Sequence, residues 1–373
     1  MGKKIALIMI AILVFTSLIL SGCSSSGSST TQAPAGTASA TGVPSTEPSS
    51  MRTLTVMTHD SFAASANVIK EFEDANHVKV QFIKAGDAGT ALNKAILSKS
   101  NPIADVFYGV DNTYLSRGLD EGIYEPYASP VLSQIPDQFR LDPKNRALPV
   151  DYGDVCLNYD KAYFKEKGIN PPSTLEDLTK PEYKSLLVVE NPASSSPGLV
   201  FLLTTIAHFG ENGYLNYWKE LKSNNVKIDD GWESAYYTDF SGSSGHGPRP
   251  IVVSYNSSPV FEIVGAKNPP SEPPTAAVVT DDTCFRQIEF VGILKGTKNL
   301  DLAEKWVDFM LSKTFQEDMP LQMYVFPVNK NTTLSSEFVK FLVEPKKTAT
   351  VSPQEIAAKR DTWLQAWTNA VLH

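Results

Sequence analysis

The chain has 373 residues, a formal net charge of -8 and three cysteines. This acidic balance argues against a nucleic-acid partner, because nucleic acid attracts basic proteins. It mildly favours a cationic ligand, although acidity that only aids solubility is an equally good explanation. Residues 51–373 exceed the ~250–300 residues at which a single hydrophobic core stops growing, so two lobes are expected.

The N-terminus has the pattern of an export signal. Lys3 and Lys4 give a positive start, and residues 5–20 form an apolar run of the length expected for a signal-peptide core. The run is short for a transmembrane helix, which needs roughly 20 apolar residues with suitable flanks. We predict a cleaved signal over residues 1–22, with an uncleaved signal anchor as the alternative.

The sequence LSGC at 20–23 resembles the lipobox of bacterial and archaeal lipoproteins. In that motif the cysteine, here Cys23, becomes lipid-modified and is the first residue of the mature chain. Residues 23–50 are rich in Ser, Gly and Thr, with Val43 as the only branched aliphatic residue. Such a segment cannot offset the entropy of becoming ordered, so we predict a disordered tether with a reach of roughly 30 Å. Lipidation would hold the folded part at the extracytoplasmic face of the membrane.

Strands and helices are predicted to alternate from residue 52 onward. Alternating apolar and polar residues predict a strand at 52–58, and the helical spacing of Val68, Ile69 and Phe72 predicts a helix at 64–76. This alternation is typical of a parallel sheet with helices on its faces. The further predicted strands are 78–83, 105–109, 186–190, 251–255 and 287–293, and the further helices are 89–98, 198–209, 214–224, 302–311 and 353–372.

The pattern occurs twice, which predicts two βα lobes with a ligand cleft beyond the carboxyl ends of their strands. The chain is expected to pass between the lobes near 152–154 and again near 282–286. Cys156 and Cys284 form either one disulfide or two buried thiols. Lobe 1 is assigned residues 51–151 and 286–325, and lobe 2 residues 152–285 and 326–373.

No catalytic motif is present. The sequence lacks a GxxxxGK[ST] phosphate loop, an HExxH zinc helix and a GxSxG elbow, and its five histidines are scattered. An exported, two-lobed, non-catalytic domain fits the ligand-binding subunit of a transporter. We therefore expect a monomer that is not an enzyme and that carries no cofactor and no metal.

Seven segments carry a family resemblance: LTVMTHDSFA at 54–63, ADVFYGVDNTYL at 104–115, PVDYGDVCLNYDK at 149–161, ENPASSSPGL at 190–199, DGWESAY at 230–236, VVSYNSSP at 252–259 and YVFPV at 324–328. Together they resemble the periplasmic thiamine-binding proteins, the solute-binding components of thiamine ABC importers. The resemblance extends over nearly all of residues 51–372. It implies an α/β, two-lobed type II periplasmic-binding-protein fold that captures thiamine or thiamine phosphate for an ABC transporter permease.

Thiamine combines a flat aminopyrimidine, a permanently positive thiazolium and an arm that can carry phosphate. Aromatic faces bind such a cation by stacking and cation–π contact, worth ~0.5–2 kcal/mol each. The resemblance assigns this stacking role to Trp232, Tyr255 and Tyr324. For each of the three, an ordinary place in the hydrophobic core is the alternative.

Carboxylates are expected to balance the thiazolium charge. Asp60 and Asp111 follow the carboxyl ends of two predicted strands, and Asp87 lies in the loop that opens the second helix. The alternative for these residues is to cap the next helix, which is a common role of Asp at such positions.

Ser195 and Ser196 precede Pro197 at a predicted helix start, where hydroxyls and free amides can hold an anion. The resemblance places a phosphate or hydroxyl contact there, and a plain N-cap is the alternative. His59 is included in the predicted site although the thiamine-binding family commonly has an aromatic residue there. After Phe62 the tryptophan of some family members is also absent, so one wall of the pocket is expected to differ.

Ferric-ion-binding proteins share the expected fold and bind Fe(III) through paired tyrosines, a histidine and a carboxylate. His59 and Asp111 suit such a site, but the pair Tyr236–Tyr237 falls on a predicted helix. The iron family has its pair at the strand end that holds Tyr255 here. Binding of another organic cation, such as a polyamine, and a secreted enzyme with an unrecognised site are the remaining alternatives.

Overall fold

The computed structural model describes residues 51–373. Within them the strands are β1 Arg52–Thr58, β2 Val78–Lys84, β3 Val106–Asp111, β4 Tyr124–Glu125, β5 Leu148–Asp160, β6 Leu187–Glu190, β7 Lys227–Asp229, β8 Ile251–Tyr255, β9 Thr275–Val278, β10 Phe285–Leu294 and β11 Phe326–Pro327. The α-helices are α1 Ala66–Asn76, α2 Ala88–Leu97, α3 Leu115–Asp120, α4 Lys161–Lys167, α5 Ser196–Ser223, α6 Trp232–Ser234, α7 Ser258–Val264, α8 Leu300–Leu311, α9 Lys313–Gln322, α10 Ser336–Phe341 and α11 Pro353–Val371. Short 3₁₀ helices occur at Pro130–Gln134, Asp137–Phe139, Glu176–Thr179 and Pro181–Tyr183, and a π-helical turn at Ala235–Asp239.

Most of the predicted elements are confirmed. The strands predicted at 52–58 and 251–255 have the predicted bounds. The helices predicted at 198–209 and 214–224 form the single element α5, which is interrupted at Gly210 by a positive φ of 71°. Glycine adopts such a backbone without a steric penalty, so the break falls between the two predicted segments.

The strands form a mixed sheet, in which the predicted parallel pairing is found only in the two outer groups of strands. The strand order is β2-β1-β3-β10-β5-β8-β6-β7. β1 runs parallel to β2 and β3, and β6 runs parallel to β7 and β8. Between these two groups, β10 runs antiparallel to both β3 and β5, and β5 runs antiparallel to β8. The two parallel groups are therefore joined through the central antiparallel pair of β5 and β10.

The 13-residue strand β5 was not predicted. Its sequence LPVDYGDVCLNYD contains Asp151 and Asp154, and Asp is depleted in strands. Both side chains are buried and paired with distant residues. Asp154 accepts two hydrogen bonds from the Arg286 guanidinium, at 2.9 and 2.8 Å, and Asp151 accepts one from the Tyr108 hydroxyl at 2.6 Å. These tertiary partners make buried carboxylates compatible with a strand.

Aromatic side chains connect helices that are far apart in the sequence. Trp306 of α8 contacts Phe72 of α1 edge to face, with ring centroids 4.9 Å apart and an angle of 87°. Trp218 of α5 contacts Trp367 of α11 in the same way, at 5.4 Å and 90°. Edge-to-face pairs of this kind add to the stabilisation that burial of the rings provides.

Cys156 of β5 is bonded to Cys284, the residue that precedes β10, and their Cα atoms are 4.4 Å apart. Of the two alternatives for these cysteines, the disulfide is the one found. It joins neighbouring points of the central strand pair, next to the paired residues Val155 and Phe285.

In residues 51–373 no helix combines the length and the apolar character needed to cross a bilayer. The predicted signal at 1–22, the tether at 23–50 and the lipidation site Cys23 lie outside the described residues.

Replacement of both cysteines, Cys156→Ser with Cys284→Ser, should lower the free energy of unfolding by about 3–5 kcal/mol, because the bond closes a long loop in the unfolded chain. The bonded residues are 128 positions apart. Urea unfolding followed by tryptophan fluorescence measures the change. As the control, a reductant should shift the wild-type midpoint towards that of the double variant and leave the variant unchanged. Equal stability of the variant and the oxidised wild type would contradict the prediction.

Candidate functional site

A cavity lies where the carboxyl ends of β1 and β8 approach the start of α5 and the segment before β11. Its empty space, counted out to the open mouth, is about 640 Å³. The structure brings six of the predicted ligand-binding residues together here, and their contact with a ligand stays a prediction. They are His59, Asp87, Ser196, Trp232, Tyr255 and Tyr324.

Trp232, the first residue of α6, is half-buried and held at three points. Its backbone N–H donates to Oδ2 of Asp87 at 2.9 Å, and its indole Nε1–H donates to Oγ of Ser254 at 2.9 Å. Its ring stacks on Tyr236 with centroids 4.9 Å apart and an angle of 16°. A ring fixed in this way loses little further freedom when a flat ligand stacks on it.

Tyr255, the last residue of β8, is also half-buried. Its ring lies over Gly153 of β5, where a Cβ atom would come within 2.8 Å of the ring Cδ1. The Tyr255 hydroxyl donates to Oε1 of Gln287 at 3.3 Å. Glycine at position 153 is required by this close approach of ring and backbone.

Tyr324, the third predicted aromatic residue, has a left-handed backbone with a φ of 57°. Its ring centroid is 3.9 Å from that of Phe261 on α7, and its carbonyl accepts a hydrogen bond from the Ser257 hydroxyl. Tyr237 lines the same cavity, and burial raises the pKa of its hydroxyl to about 12. The phenol of Tyr237 is therefore neutral at physiological pH.

Asp87 caps α2 and also lines the cavity. Its Oδ1 accepts from the Ala88 N–H at 2.7 Å, while its Oδ2 accepts from the Trp232 N–H. Burial raises the pKa of Asp87, and these two amides partly offset the rise. Asp60 lines a neighbouring groove instead of the cavity, and its Oδ1 accepts from the Gly86 N–H at 2.8 Å.

Behind the cavity lies a buried cluster of ionisable side chains. His59 Nε2 is 3.5 Å from Oε1 of Glu289. The Tyr108 hydroxyl is 2.6 Å from Oδ2 of Asp151 and 3.0 Å from Oε2 of Glu289. Glu289 is paired directly with Asp111 of β3 on one side and with Asp151 of β5 on the other. Because directly opposed residues of an antiparallel pair share a face, these carboxyl groups lie side by side.

The charges in this cluster follow from burial and proximity. Burial disfavours the charged form of His59, but nearby carboxylates, that of Glu289 foremost, raise its pKa above the usual value. Burial likewise disfavours the charged form of Glu289, yet His59 holds the pKa of this carboxyl below its usual value. Burial and then Glu289 raise the pKa of Asp151 well above its usual value. These shifts favour the charged forms of His59 and Glu289 and the protonated form of Asp151.

Gly109 allows His59 to occupy this position. It lies in β3 with a φ of +107°, and a Cβ atom there would lie 2.3 Å from Cδ2 of His59. Both the backbone conformation and the close approach therefore require glycine.

Asp111 and Ser195 are fully buried and are not part of the cavity wall. Oδ1 of Asp111 accepts from the Thr113 hydroxyl at 2.7 Å and from the Tyr114 N–H at 3.1 Å, in the turn before α3. The N-cap residue of α3 is Tyr114, so Asp111 is not the N-cap of the next helix. Burial raises the pKa of Asp111 to about 6. Ser195 is the N-cap residue of α5, although its side chain makes no cap hydrogen bond. Ligand contact by either residue stays a prediction.

Tyr237, Phe261 and Glu289 also form part of the wall, and the sequence analysis did not assign them to the ligand site. Phe261 lies on α7, a helix that was not predicted. Glu289 lies in the middle of β10, between the apolar residues Ile288 and Phe290 and two positions after the buried Gln287. An acidic residue between apolar residues of a predicted strand is the signal that could have identified it, since such residues are rarely buried without a role.

The ferric-ion alternative requires a tyrosine pair at a strand end. Tyr255 stands alone at the end of β8, while Tyr236 and Tyr237 lie in the π-helical turn. The Tyr236 hydroxyl donates to Oε1 of Glu262 at 2.8 Å. In the described part of the chain, no three His, Cys, Asp or Glu side chains are grouped so that they could hold a metal ion.

Comparison with known proteins gives consistent matches along the chain. The family model described as bacterial extracellular solute-binding protein matches residues 101–357. The thiamine-binding periplasmic protein of Salmonella typhimurium is 30% identical over 323 residues, which are 85% of this chain and 93% of that protein. A solved periplasmic thiamin binding protein has a TM-score of 0.75 at 28% identity, over 86% of this chain and 96% of that one. A ferric binding protein from Campylobacter jejuni, with a TM-score of 0.69 at 22% identity over 85% and 99%, shares the fold alone.

These matches confirm the two-lobed type II periplasmic-binding-protein fold expected from the sequence. They also confirm the expectation of a binding protein instead of an enzyme, because the matched family consists of solute-binding proteins. The relatives from Salmonella typhimurium and Escherichia coli are both named as periplasmic proteins. The chain belongs to the bacterial extracellular solute-binding protein family.

Proposed function

We propose that this protein captures thiamine or a thiamine phosphate outside the cytoplasm and delivers it to the permease of an ABC importer. The main support is the cavity in which the rings of Trp232, Tyr255 and Tyr324 and the carboxyls of Asp87 and Glu289 face one space. Relatives that are named for thiamine binding match 85% of the chain.

The composition of the cavity suits the chemistry of thiamine. The electron-rich faces of Trp and Tyr attract a thiazolium cation by ~0.5–2 kcal/mol each. The flat aminopyrimidine can stack on the same kind of surface. The carboxylates of Asp87 and Glu289 supply the opposite charge, which contributes to specificity and to the rate of association.

We further propose that β5 and β10 carry the chain between the lobes and act as the hinge. The predicted crossings at 152–154 and 282–286 fall within β5 and at the start of β10. In this division lobe 1 comprises residues 51–151 and 286–325, and lobe 2 comprises residues 152–285 and 326–373.

Hydrogen bonds between the proposed lobes support a closing motion. The Tyr114 hydroxyl donates to the Pro192 carbonyl at 2.6 Å, and the Gly89 N–H donates to the Ser194 carbonyl at 3.0 Å. The bond from Trp232 to Asp87 also joins the two lobes. A ligand that contacts both lobes adds to these bonds and shifts the equilibrium towards the closed state.

Anchoring at the membrane belongs to the same proposal. Cleavage before Cys23 and lipidation of its thiol would keep the domain close to its importer, with residues 23–50 as the tether. Acyl chains stabilise membrane attachment by ~0.8 kcal/mol per buried CH₂ group. Mass spectrometry of the mature N-terminus distinguishes this modification from an uncleaved anchor.

Calorimetric titration with thiamine, its phosphates and Fe(III) tests the proposed function. We expect saturable binding of a thiamine compound and no binding of Fe(III). Absence of binding at about millimolar thiamine would mean that the binding free energy is smaller in magnitude than ~4 kcal/mol. This result would exclude a specific thiamine receptor. A visible tyrosinate-to-iron absorbance band would favour the ferric-ion alternative.

The substitutions Trp232→Ala and Tyr255→Ala should each weaken thiamine binding by about 10- to 100-fold, because each removes a stacking surface. Calorimetry measures the dissociation constants. Tyr255→Phe is the matched control, since it keeps the ring and removes only the hydroxyl, and its affinity should stay within about threefold of wild type. Wild-type affinity of both alanine variants would remove these rings from the site.

Gly109→Ala should weaken thiamine binding by about tenfold, because the new methyl group collides with His59 and strains a backbone that favours glycine. Gly122→Ala is the control: its φ is +65° and no heavy atom lies within 4 Å of the added Cβ. Backbone strain should cost each variant about 1–3 kcal/mol of stability. The collision with His59 should cost Gly109→Ala about 1–3 kcal/mol more, and only Gly109→Ala should lose affinity. Equal affinities of the two variants would show that the position of His59 is unimportant for binding.

A further inference from the structure

Two serine hydroxyls connect Trp232 and Tyr255, two of the aromatic residues that line the cavity. The indole Nε1–H of Trp232 donates to Oγ of Ser254 at 2.9 Å, and this Oγ lies 2.8 Å from Oγ of Ser258. The backbone N–H of Tyr255 donates to the same Oγ of Ser258 at 3.2 Å. Ser254 and Ser258, which we call the serine pair, therefore join the two ring-bearing residues through hydrogen bonds.

The two members of the serine pair differ in their relation to the cavity. Ser254 lies in β8, has an exposed fraction of 0% and is not part of the cavity wall. Ser258 is the first residue of α7 and lines the cavity. Ser254 can therefore influence a ligand in the cavity only through its partners, whereas Ser258 can contact the ligand directly.

The number of protons in the serine pair determines which hydroxyl donates to the other. Each serine hydroxyl has one proton to donate. In the described part of the chain, the Ser254 hydroxyl has hydrogen bonds only with Trp232 and Ser258. If Ser258 donated to Ser254, the proton of Ser254 would be buried without an acceptor, which is unfavourable. Ser254 therefore accepts from Trp232 and donates to Ser258.

This direction leaves the proton of Ser258 available at the cavity wall. Oγ of Ser258 accepts from the Ser254 hydroxyl and from the Tyr255 N–H, so both of its lone pairs are used. Among the described residues, no acceptor is bonded to the Ser258 hydroxyl apart from the Ser254 oxygen, which is already the donor. A ligand atom with a lone pair, such as a ring nitrogen of an aminopyrimidine, can accept this proton.

The hydrogen bond to Ser254 also fixes the Trp232 ring in its own plane. Stacking on Tyr236, with centroids 4.9 Å apart and an angle of 16°, sets the tilt of the indole. Stacked rings can still turn about the axis perpendicular to their planes, because dispersion contacts have little directional preference. The indole N–H is a single directional donor. Its bond to Ser254 therefore selects one in-plane orientation of Trp232.

We propose that Ser254 is a positioning residue of the ligand site. It fixes the in-plane orientation of Trp232 and directs the hydroxyl proton of Ser258 towards an acceptor atom of the ligand. A flat ring that carries acceptor nitrogens, such as the aminopyrimidine of thiamine, matches a stacking surface beside a hydroxyl donor. Groups that are ordered before binding reduce the entropy cost of binding. The inference rests on the proposed function, because it takes thiamine as the ligand.

The first test is calorimetric titration of the full-length protein and its Ser254→Ala variant with thiamine. The substitution removes a hydroxyl that does not touch the cavity, and it leaves the Trp232 ring in place. The variant should bind thiamine about three- to tenfold more weakly, because the ring must be ordered when the ligand binds. Wild-type affinity of the folded variant would contradict the inference.

A double-mutant cycle tests whether Ser254 acts through Trp232. Trp232→Phe keeps an aromatic ring and removes the indole N–H. In this background, Ser254→Ala should weaken thiamine binding by no more than about twofold, because the hydrogen bond that it removes is already absent. Equal effects of Ser254→Ala in the wild-type and Trp232→Phe backgrounds would show that Ser254 does not act by positioning this ring.

Thr205→Val is the matched control. The Thr205 hydroxyl accepts from the indole Nε1–H of Trp218 at 3.0 Å, both residues are buried, and neither lines the cavity. This substitution also removes the acceptor of a tryptophan N–H. It should lower stability in urea unfolding and leave the thiamine affinity unchanged. If it weakened binding as much as Ser254→Ala, affinity would follow general stability and the positioning role would be wrong.

If circular dichroism shows that Ser254→Ala is unfolded, Ser258→Ala tests the other end of the serine pair. Loss of the free donor should weaken thiamine binding by about three- to tenfold. Wild-type affinity of this variant would overturn the assignment of that donor. Failure of wild type to bind any thiamine compound would overturn the proposed function itself. Normal binding by wild type with no effect of the serine substitutions would overturn this inference alone.

Discussion

The antiparallel pairing of β5 with β10 places mutually repelling carboxyl groups in the buried centre of the sheet. Asp151 and Glu289 are directly opposed in this pair. Two such groups remain buried only when protons, hydrogen bonds or opposite charges neutralise them, because removal of a carboxylate from water costs several kcal/mol. The Tyr108 hydroxyl and the His59 imidazole meet this requirement. A disulfide a few residues away, between Cys156 and Cys284, holds the same two strands together.

This constraint at the sheet centre determines what surrounds the cavity. His59 reaches Glu289 from the end of β1. It can do so because Gly109 has no side chain in the space that the His59 ring occupies. Trp232 follows β7 and Tyr255 ends β8, both in the other parallel group of strands, whereas Tyr324 lies between α9 and β11. Trp232 is attached across the cavity through Asp87, so the ring and the carboxylate are positioned by one hydrogen bond. The positions of the Asp87 carboxylate and of the Trp232 ring therefore depend on each other.

The local sequence was sufficient to predict the elements whose residue pattern is explained by neighbouring residues alone. The strand at 52–58, which precedes His59, was predicted from alternating apolar and polar residues, and the strand at 251–255 also has its predicted bounds. The resemblance to thiamine-binding proteins then assigned Trp232 and Tyr255 to the cavity that both line. β5 and Glu289 were missed because a buried acidic residue is understandable only when its partners on other strands are known. Asp111 illustrates the same limit, since its position after a strand end did not reveal that its side chain turns inwards.

The buried carboxyls also account for a histidine at position 59, where the resemblance to thiamine-binding proteins predicts an aromatic ring. His59 Nε2 lies 3.5 Å from Oε1 of Glu289, and each of these two groups shifts the pKa of the other towards its charged form. The histidine thus gives up stacking area and in exchange limits the repulsion between Glu289 and the carboxyl groups of Asp111 and Asp151 opposite it, which would otherwise destabilise the protein. A cation that binds only the folded state beside these groups stabilises that state further by mass action.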